Sequence, residues 1–599
     1  MKDEIVDSHE SIDIAFRQSA SLSEPRVRYQ GFNPHEKVLK AGTVMREGAR
    51  ALTCDILFQR DVPVQLRDGV TIYTDVLRPV DAHNIPAIIA WSPYGKNVGN
   101  QHLDDFPFRM GVALGAVSEL NKWEAPDPAV WCARGYAVIN PDARGTYTSD
   151  GDAHCWSAQE GRDGADLVDW AGTQSWCNGK VGCAGNSWLA AAQWFIAAER
   201  PRHLAAIAPW EGLDDVYRNV VCMGGIPDPG FMDWLIELTA GRNQIEDIVE
   251  MLARYPLFNA YWEEHAAKIE EIAVPAYVVG SWSNLLHCQG TFDAYDRLRS
   301  PKWLRVHDLQ EWPDFYDPQN DADLARFFDY YLKGTDNGWD ATPRVRMPIY
   351  TVGPDNITLL NRAEAAFPLA RTRNLKLHLD AASRGLQATH PAASSQVEYS
   401  AVEGERVVFA YHVEETLEWV GFSELVLWVE AKDADDLDIY VRIKKLGADG
   451  EPFCAPNLPL DAPHLRQNRG EIEMLTHTPF RNIIFYEGPW GRLRASHRAL
   501  DEARSTVGRP VHHHRSRAPL APGEVVQVRI PLTPTGMQLQ RGETLEVIVE
   551  TENTLRLPLG NLSTQSIRAG ANVIHTGGPY ESYLLIPRVD QSSRPDRMG

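Results

Sequence analysis

The chain of 599 residues has no run of 18 or more apolar residues, so no membrane-spanning helix is expected. It lacks an excess of positive charge: 59 Lys and Arg stand against 81 Asp and Glu, a formal net charge of −22. Such a surface repels phosphate backbones and anionic lipid, which argues against nucleic acid and membrane as partners. It also lacks a Cys-x-x-C pair. The eight cysteines (54, 132, 155, 177, 183, 222, 288 and 454) are scattered and read as free thiols of a reducing compartment. The opening MKDEIVDSHESIDIAFRQ has neither a basic n-region nor an apolar h-region, and the expectation is a cytoplasmic protein. No repeat and no low-complexity tract is found.

Hydrophobic residues make up 44% and charged residues 23%, the balance of an ordinary globular chain. Its length exceeds what one core supports, so two or three domains are expected. Residues 1–50 are polar and read as an N-terminal arm. From Val62 the pattern changes. VPVQLRDGVTIYTDVLRP carries two strand runs about an Asp68-Gly69 turn. PAIIAWSPYG, YAVINPDARG, KVGCAG and LAAIAPW are short buried strands, while ADLVDWAGTQ and SWLAAAQWFIAAE have helical character. Alternating strands and helices predict a parallel sheet with both faces covered.

Residues 211–270 interrupt that rhythm with GFMDWLIELTA and QIEDIVEMLARY, read as an inserted helical cap. The α/β pattern resumes with PAYVVGSW, KWLRVH and DLARFFDYYLKG. Beyond about residue 345, short alternating strands such as SELVLWVEA, LDIYVRIKKL and TLEVIVET predict an all-β sandwich or jelly roll. The expected division is an α/β-hydrolase domain of residues 51–210 and 271–345, a cap of 211–270 and a β jelly roll of 346–599.

The strand-turn-helix at 181–198 carries the chemistry. A nucleophile elbow needs small residues around its serine because the turn packs strand against helix. Gly182, Gly185 and Ala190 supply them around Ser187, although Leu189 stands where the pattern usually ends in glycine. The plain alternative is an N-cap serine. A nucleophilic serine also needs a base and a group that orients it. The fold's usual chain order is serine, acid, histidine. His307 ends the strand KWLRVH and is the preferred base; His287, in the loop after PAYVVGSW, is the rival. That loop, Ser281 to His287, holds no carboxylate, and Asn284 lies where an acid is wanted.

Taken together, RDGVTIYTDVLRP, SPYGKN, PDARGTYTSDG, EGRDGADLVDW, SWCNGKVGCAGNSWL, WGRLRASHRALD and PLAPGEVVQVRIPLTPTG resemble, in sequence and in order, the cocaine-esterase-like hydrolases that carry an X-prolyl dipeptidyl-peptidase C-terminal domain. The stretches run from Val62 to near residue 570. The resemblance implies an α/β-hydrolase domain, a helical cap, a C-terminal jelly roll and ester or amide hydrolysis without a cofactor. It puts Ser187 on the nucleophile. It puts Tyr94 on the tyrosine that completes the oxyanion hole with the Trp188 amide, and gives Asp142 and Arg144 a structural role.

The acid departs from the family pattern, with Asn284 where Asp stands, and an ungapped reading puts Glu311 where the histidine belongs. In serine proteases an Asp-to-Asn change at the orienting residue costs about 10⁴ in kcat. Either another carboxylate, Asp308 or Glu311, then serves, or the reaction needs a weaker base, or activity is reduced.

Other clusters read as structure. His512, His513 and His514 have no carboxylate or cysteine at ligand spacing and read as a solvated loop, not a metal site. Asp435, Asp436 and Asp438 fit no EF-type loop. The aromatics Phe231, Trp234, Tyr261 and Trp262 suit an acyl pocket or a cap core equally. The reading is a serine hydrolase of a small-molecule ester or amide acting through an acyl-enzyme. No metal or cofactor is expected, and at most a second copy of the chain as a macromolecular partner. Its rivals are an X-prolyl peptidase or α-amino-acid ester hydrolase, with Asp214 or Asp215 catching a substrate amine, and a catalytically weak pseudo-hydrolase that binds.

Overall fold

A computed structural model describes residues 12–96, 102–351 and 359–589. Two β-systems organise it. The first sheet has eleven strands: β1 (His35–Leu39), β2 (Ile56–Gln65), β3 (Thr71–Pro79), β4 (Ile85–Ile89), β5 (Ala137–Asp142), β6 (Cys177–Asn186), β7 (Leu204–Trp210), β8 (Ala276–Ser281), β9 (Lys302–His307), β10 (Val345–Ile349) and β11 (Leu359–Glu364). Their order across the sheet is β11-β10-β9-β8-β7-β6-β4-β5-β3-β2-β1. Neighbours from β5 through β10 run parallel, while β1 to β3 and β11 add antiparallel edges.

The parallel strands are short apolar runs because helices cover both faces. One of these is α1 (Ala158–Gly172), capped by the Ser157 side chain on the Glu160 amide. Another is α2 (Trp188–Ala198). In α2 every residue through Ala197 is buried, as expected of a helix apolar all round. Gly161 and Gly164 let α1 approach it; a Cβ on Gly164 would lie 2.4 Å from the Ile196 side chain.

Between β7 and β8 the chain forms α3 (Gly230–Leu238), α4 (Ile248–Arg254) and α5 (Ala260–Glu264). After β8 come α6 (Cys288–Arg297) and, after β9, α7 (Glu311–Phe315) and α8 (Pro318–Phe328). The N-terminal segment is more ordered than its polar composition suggests. Phe16–Gln18 pairs antiparallel with Gln244–Glu246, Arg17 bonds Asp247 and Asp233, and β1 joins the main sheet; residues 1–11 lie outside the described ones. The first sheet also runs past residue 345, because β10 turns back into β11 before the second β-system begins.

That second system is almost wholly antiparallel. Its longest strand, Leu417–Lys432, pairs with Val526–Leu539, Ala571–Thr576 and Tyr583–Val589. Asp438 opens the strand Asp438–Leu446 and pairs with Arg494 at 2.8 Å, a structural role for the acidic run. The histidine run differs from expectation. His512 and His514 are buried, and His514 Nδ1 lies 3.1 Å from His497 Nδ1. They sit beneath the helical segment, where the His514 carbonyl accepts the Phe258 amide and Tyr217 packs on the His514 ring. Among the described residues no cluster suited to a metal ion is found, and no helix is long and apolar enough to cross a membrane.

Candidate active site

The C-terminal ends of β6, β7, β8 and β9 stand side by side. Register pairs Asn186 with Trp210, Val279 with Trp210, and Ser281 with His307. Ser187 follows β6 directly with φ 56° and ψ −113°, a left-handed backbone that costs an ordinary residue about 1–3 kcal/mol. The surroundings hold it there. The Ser187 amide donates to the Trp210 carbonyl at 3.0 Å, and the Asn186 amide to the Glu124 carbonyl at 3.0 Å. Gly185, at φ +146°, leaves room for Leu189; a Cβ on it would lie 2.4 Å from the Leu189 Cβ. The leucine in place of a final glycine is therefore accommodated from the other side of the turn.

Trp188 opens α2, so its amide has no intrahelical acceptor and forms part of the positive end of the helix dipole. Its ring is fixed by Glu160, whose buried carboxylate accepts the indole N–H of Trp188 (2.7 Å) and of Trp91 (2.8 Å) and the Trp156 amide (2.7 Å). Burial pushes the Glu160 carboxyl up to about 7 against those three donors. Tyr94 packs edge-on against Trp188, with ring centres 5.9 Å apart. Its loop is tied down by the fully buried Lys122, which donates to the carbonyls of Ser92 (3.3 Å) and Pro141 (2.8 Å). Burial lowers this ammonium to about 7, against the attraction of Asp142 and Asp75. Asp142 and Arg144 lie in the same supporting layer: Asp142 is 3.4 Å from Lys96, and Arg144 pairs with Asp163 and Asp68.

The histidines part company. His287 Nε2 lies 3.1 Å from Ser187 Oγ. His307, the preferred base from sequence, has its Nε2 2.8 Å from Glu211 and 3.7 Å from Asp314. The physical reason is strand register. His307 is the last residue of β9, paired in line with Ser281, and its ring packs against the end of β7. His287 comes from the longer loop that climbs over Ser187. Burial drives its imidazole down to about 3. Its Nδ1 is buried without a hydrogen-bond partner among the described residues.

Asn284 does not face His287 with a free carbonyl. Its Oδ1 accepts the amides of Leu286 (2.9 Å) and His287 (3.0 Å), and its Nδ2 donates to Glu311. Burial and the charges of Glu211 and Glu124 hold the Glu311 carboxyl well above the usual range. Glu124, which motif reading missed, accepts the Trp312 indole N–H at 2.9 Å and is pushed up to about 8 by burial. No sequence pattern marks it; its backbone, at φ 62°, brings it beside the elbow only through the fold.

Ser187, His287, Tyr94, Asn284, Glu124 and Glu311 all line one cavity of about 830 Å³. Phe231 and Trp234 of α3 form part of its wall, whereas Tyr261 and Trp262 are buried core. Phe480, Ile483 and Leu557 close it from the second β-system. Asp214 and Asp215 are not on it; they pair with Arg297 and Arg218 at 2.7 Å each. Asp308 is also off the cavity.

Sequence profiles match in two blocks. Residues 68–255 match the X-Pro dipeptidyl-peptidase (S15 family), and residues 337–585 match the X-Pro dipeptidyl-peptidase C-terminal non-catalytic domain. A mycobacterial protein named as a serine esterase (Mycobacterium bovis) is 30% identical over 203 residues, 32% of this chain and 31% of that protein. The chain thus spans under a third of that curated relative's length. Cocaine esterase from Rhodococcus sp. is 30% identical over 158 residues, 26% of this chain and 24% of the esterase. A CocE/NonD family hydrolase from Staphylococcus aureus superimposes with a TM-score of 0.82 at 30% identity, over 95% of this chain and 100% of that one. An α-amino acid ester hydrolase shares the fold at a TM-score of 0.64 and 16% identity. Fold and relatives together define a serine hydrolase on an α/β-hydrolase scaffold with a C-terminal β-rich domain. The chain belongs to the CocE/NonD family of hydrolases, in accord with the resemblance of its motifs to the cocaine-esterase-like enzymes.

Proposed function

We propose that the chain hydrolyses a carboxylic ester or amide of a small, largely apolar molecule, with Ser187 as nucleophile and His287 as general base. The observation that carries this is the 3.1 Å contact between His287 Nε2 and Ser187 Oγ, both of which line one cavity. Ser187 Oγ attacks the carbonyl as its proton passes to His287, and the oxyanion takes hydrogen bonds from the Trp188 amide and the Tyr94 hydroxyl. His287 returns the proton to the leaving group. Water then cleaves the acyl-enzyme by the same route. In this reading α3 and the helices after it act as the cap, supported by Phe231 and Trp234 on the cavity wall. The second β-system is the jelly roll, which lends apolar wall residues.

Capture of a substrate ammonium is disfavoured. Asp214 and Asp215 are already paired with arginines, and the cavity carboxyls Glu124 and Glu311 are shifted towards their neutral form by burial. The test is turnover of p-nitrophenyl butyrate with fluorophosphonate labelling of the folded protein. Hydrolysis and a label on Ser187 are expected. A folded protein that neither turns over the ester nor takes the label is the pseudo-hydrolase, and the proposal fails.

A further inference from the structure

The base has one face without a partner. His287 Nε2 meets Ser187, and the opposite nitrogen, Nδ1, is buried and unbonded. Asn284 cannot serve it, because two backbone amides already occupy its only acceptor oxygen. What Asn284 does instead is bridge. One end grips the His287 amide; the other donates to Glu311, the first residue of α7 in the loop after β9. Glu311 is buried, and it lines the cavity with Ser187 and His287.

Two other carboxyls lie in the same cluster, and each has another occupation. Glu211, directly after β7, sits 2.8 Å from the His307 ring and does not line the cavity. Glu124 holds the Trp312 indole. Glu311 alone is tied by a side chain to the loop of the base. An aspartate at 284 would set two carboxylates against each other at this spot, whereas the amide of Asn284 supplies a donor.

We propose that Glu311 is the positioning acid of His287, with Asn284 as the amide that holds its carboxylate, so that nucleophile, base and acid follow in the order Ser187, His287, Glu311 instead of the fold's usual serine, acid, histidine. This rests on the Ser187–His287 reading above. During attack the serine proton moves to His287 Nε2 while the Oγ–C bond forms and the carbonyl π pair moves onto oxygen. Nδ1–H of the imidazolium that results has no acceptor at rest, and a swing of the Asn284-held Glu311 carboxylate onto it lowers its energy without taking the proton. The ionised form of Glu311 is the working one. Its carboxyl is held above the usual range, so kcat rises with pH as Glu311 loses its proton.

The experiment compares the wild type with Glu311→Gln, Glu311→Asp, Glu211→Gln and Ser187→Ala on p-nitrophenyl butyrate across a pH series, with thermal unfolding as the check on folding. In Glu311→Gln, kcat falls on the order of 10³–10⁴-fold with KM little changed, and the rising limb disappears. Glu311→Asp keeps the limb at reduced kcat, and it decides the matter if the glutamine variant does not fold. Unchanged kcat and limb in either Glu311 variant, or loss of the limb in Glu211→Gln instead, overturns the proposal. Full activity in Ser187→Ala would overturn the underlying site reading, which keeps the two failures apart.

Discussion

In the proposed mechanism the end of β6 and the loops beyond β8 and β9 carry the two halves of one proton transfer, and they are built differently. The elbow is over-determined. Gly185 makes room for Leu189, the Trp210 carbonyl takes the Ser187 amide, the Glu124 carbonyl takes the Asn186 amide, and Glu160 clamps Trp188. Each constraint is steric or a fixed hydrogen bond. The base side hangs on one Asn284 bridge between two loops. Ser187 is therefore fixed by packing, while the proposed base and its acid depend on loop paths at neighbouring strand ends. That latitude lets a scaffold keep its serine and vary how the proton is handled.

Substitutions can break this comparison at either side. The largest expected effect is Ser187→Ala, which removes the nucleophile and should lower kcat by on the order of 10⁴-fold or more without loss of folded protein; ester turnover together with near-UV circular dichroism measures both. Tyr94→Phe removes one oxyanion donor and should cost about 10²–10³ in kcat, or ~3–4 kcal/mol of transition-state stabilisation. A Tyr94→Phe enzyme as fast as the parent would leave the Trp188 amide as the sole donor. Gly185→Ala tests the rigid side, since its Cβ meets Leu189 at 2.4 Å. A destabilisation of about 1–3 kcal/mol is expected, read as a lower Tm, with activity falling because Ser187 shifts.

The smallest effect concerns pH. Burial holds His287, His497 and His512 each near a pKa of about 3, so they stay neutral in the fold, whereas in the unfolded chain they take up protons below about 6.5. Their contribution to stability is present above that value and is lost as pH falls from about 6.5 towards 3. Tm should decline over that interval, and His512→Gln should soften the decline. A Tm flat down to pH 4 would mean the histidine cluster hydrates on protonation.

How much of this was legible in the sequence follows the same division. The elbow at Ser187 could be read because it demands small residues at fixed offsets between an apolar strand and an apolar helix. The parallel sheet was readable for the same reason, as was the helical character of the segment after β7. Tyr94 needed the family motif, since a loop tyrosine carries no local signature. The sequence reading preferred His307 to His287, whereas the proposed base is His287. His287 and His307 both follow buried strands, and only the register of β8 on β9 turns the His307 ring towards Glu211 while the longer loop carries His287 over Ser187. His512 and His514 looked like a polar loop because their burial comes from helices some 250–300 positions earlier in the chain. The edge strand β1 was hidden by its charged, half-exposed sequence.

The central claim is that His287, and not His307, activates Ser187. The direct test is the rate of fluorophosphonate labelling at Ser187 in His287→Ala and in His307→Ala, each normalised to folded protein. The account predicts that His287→Ala is labelled on the order of 10³-fold more slowly or not at all. It predicts that His307→Ala, though less stable because Glu211 loses its partner, labels at close to the parent rate. Rapid labelling of His287→Ala together with loss of labelling in folded His307→Ala would contradict it.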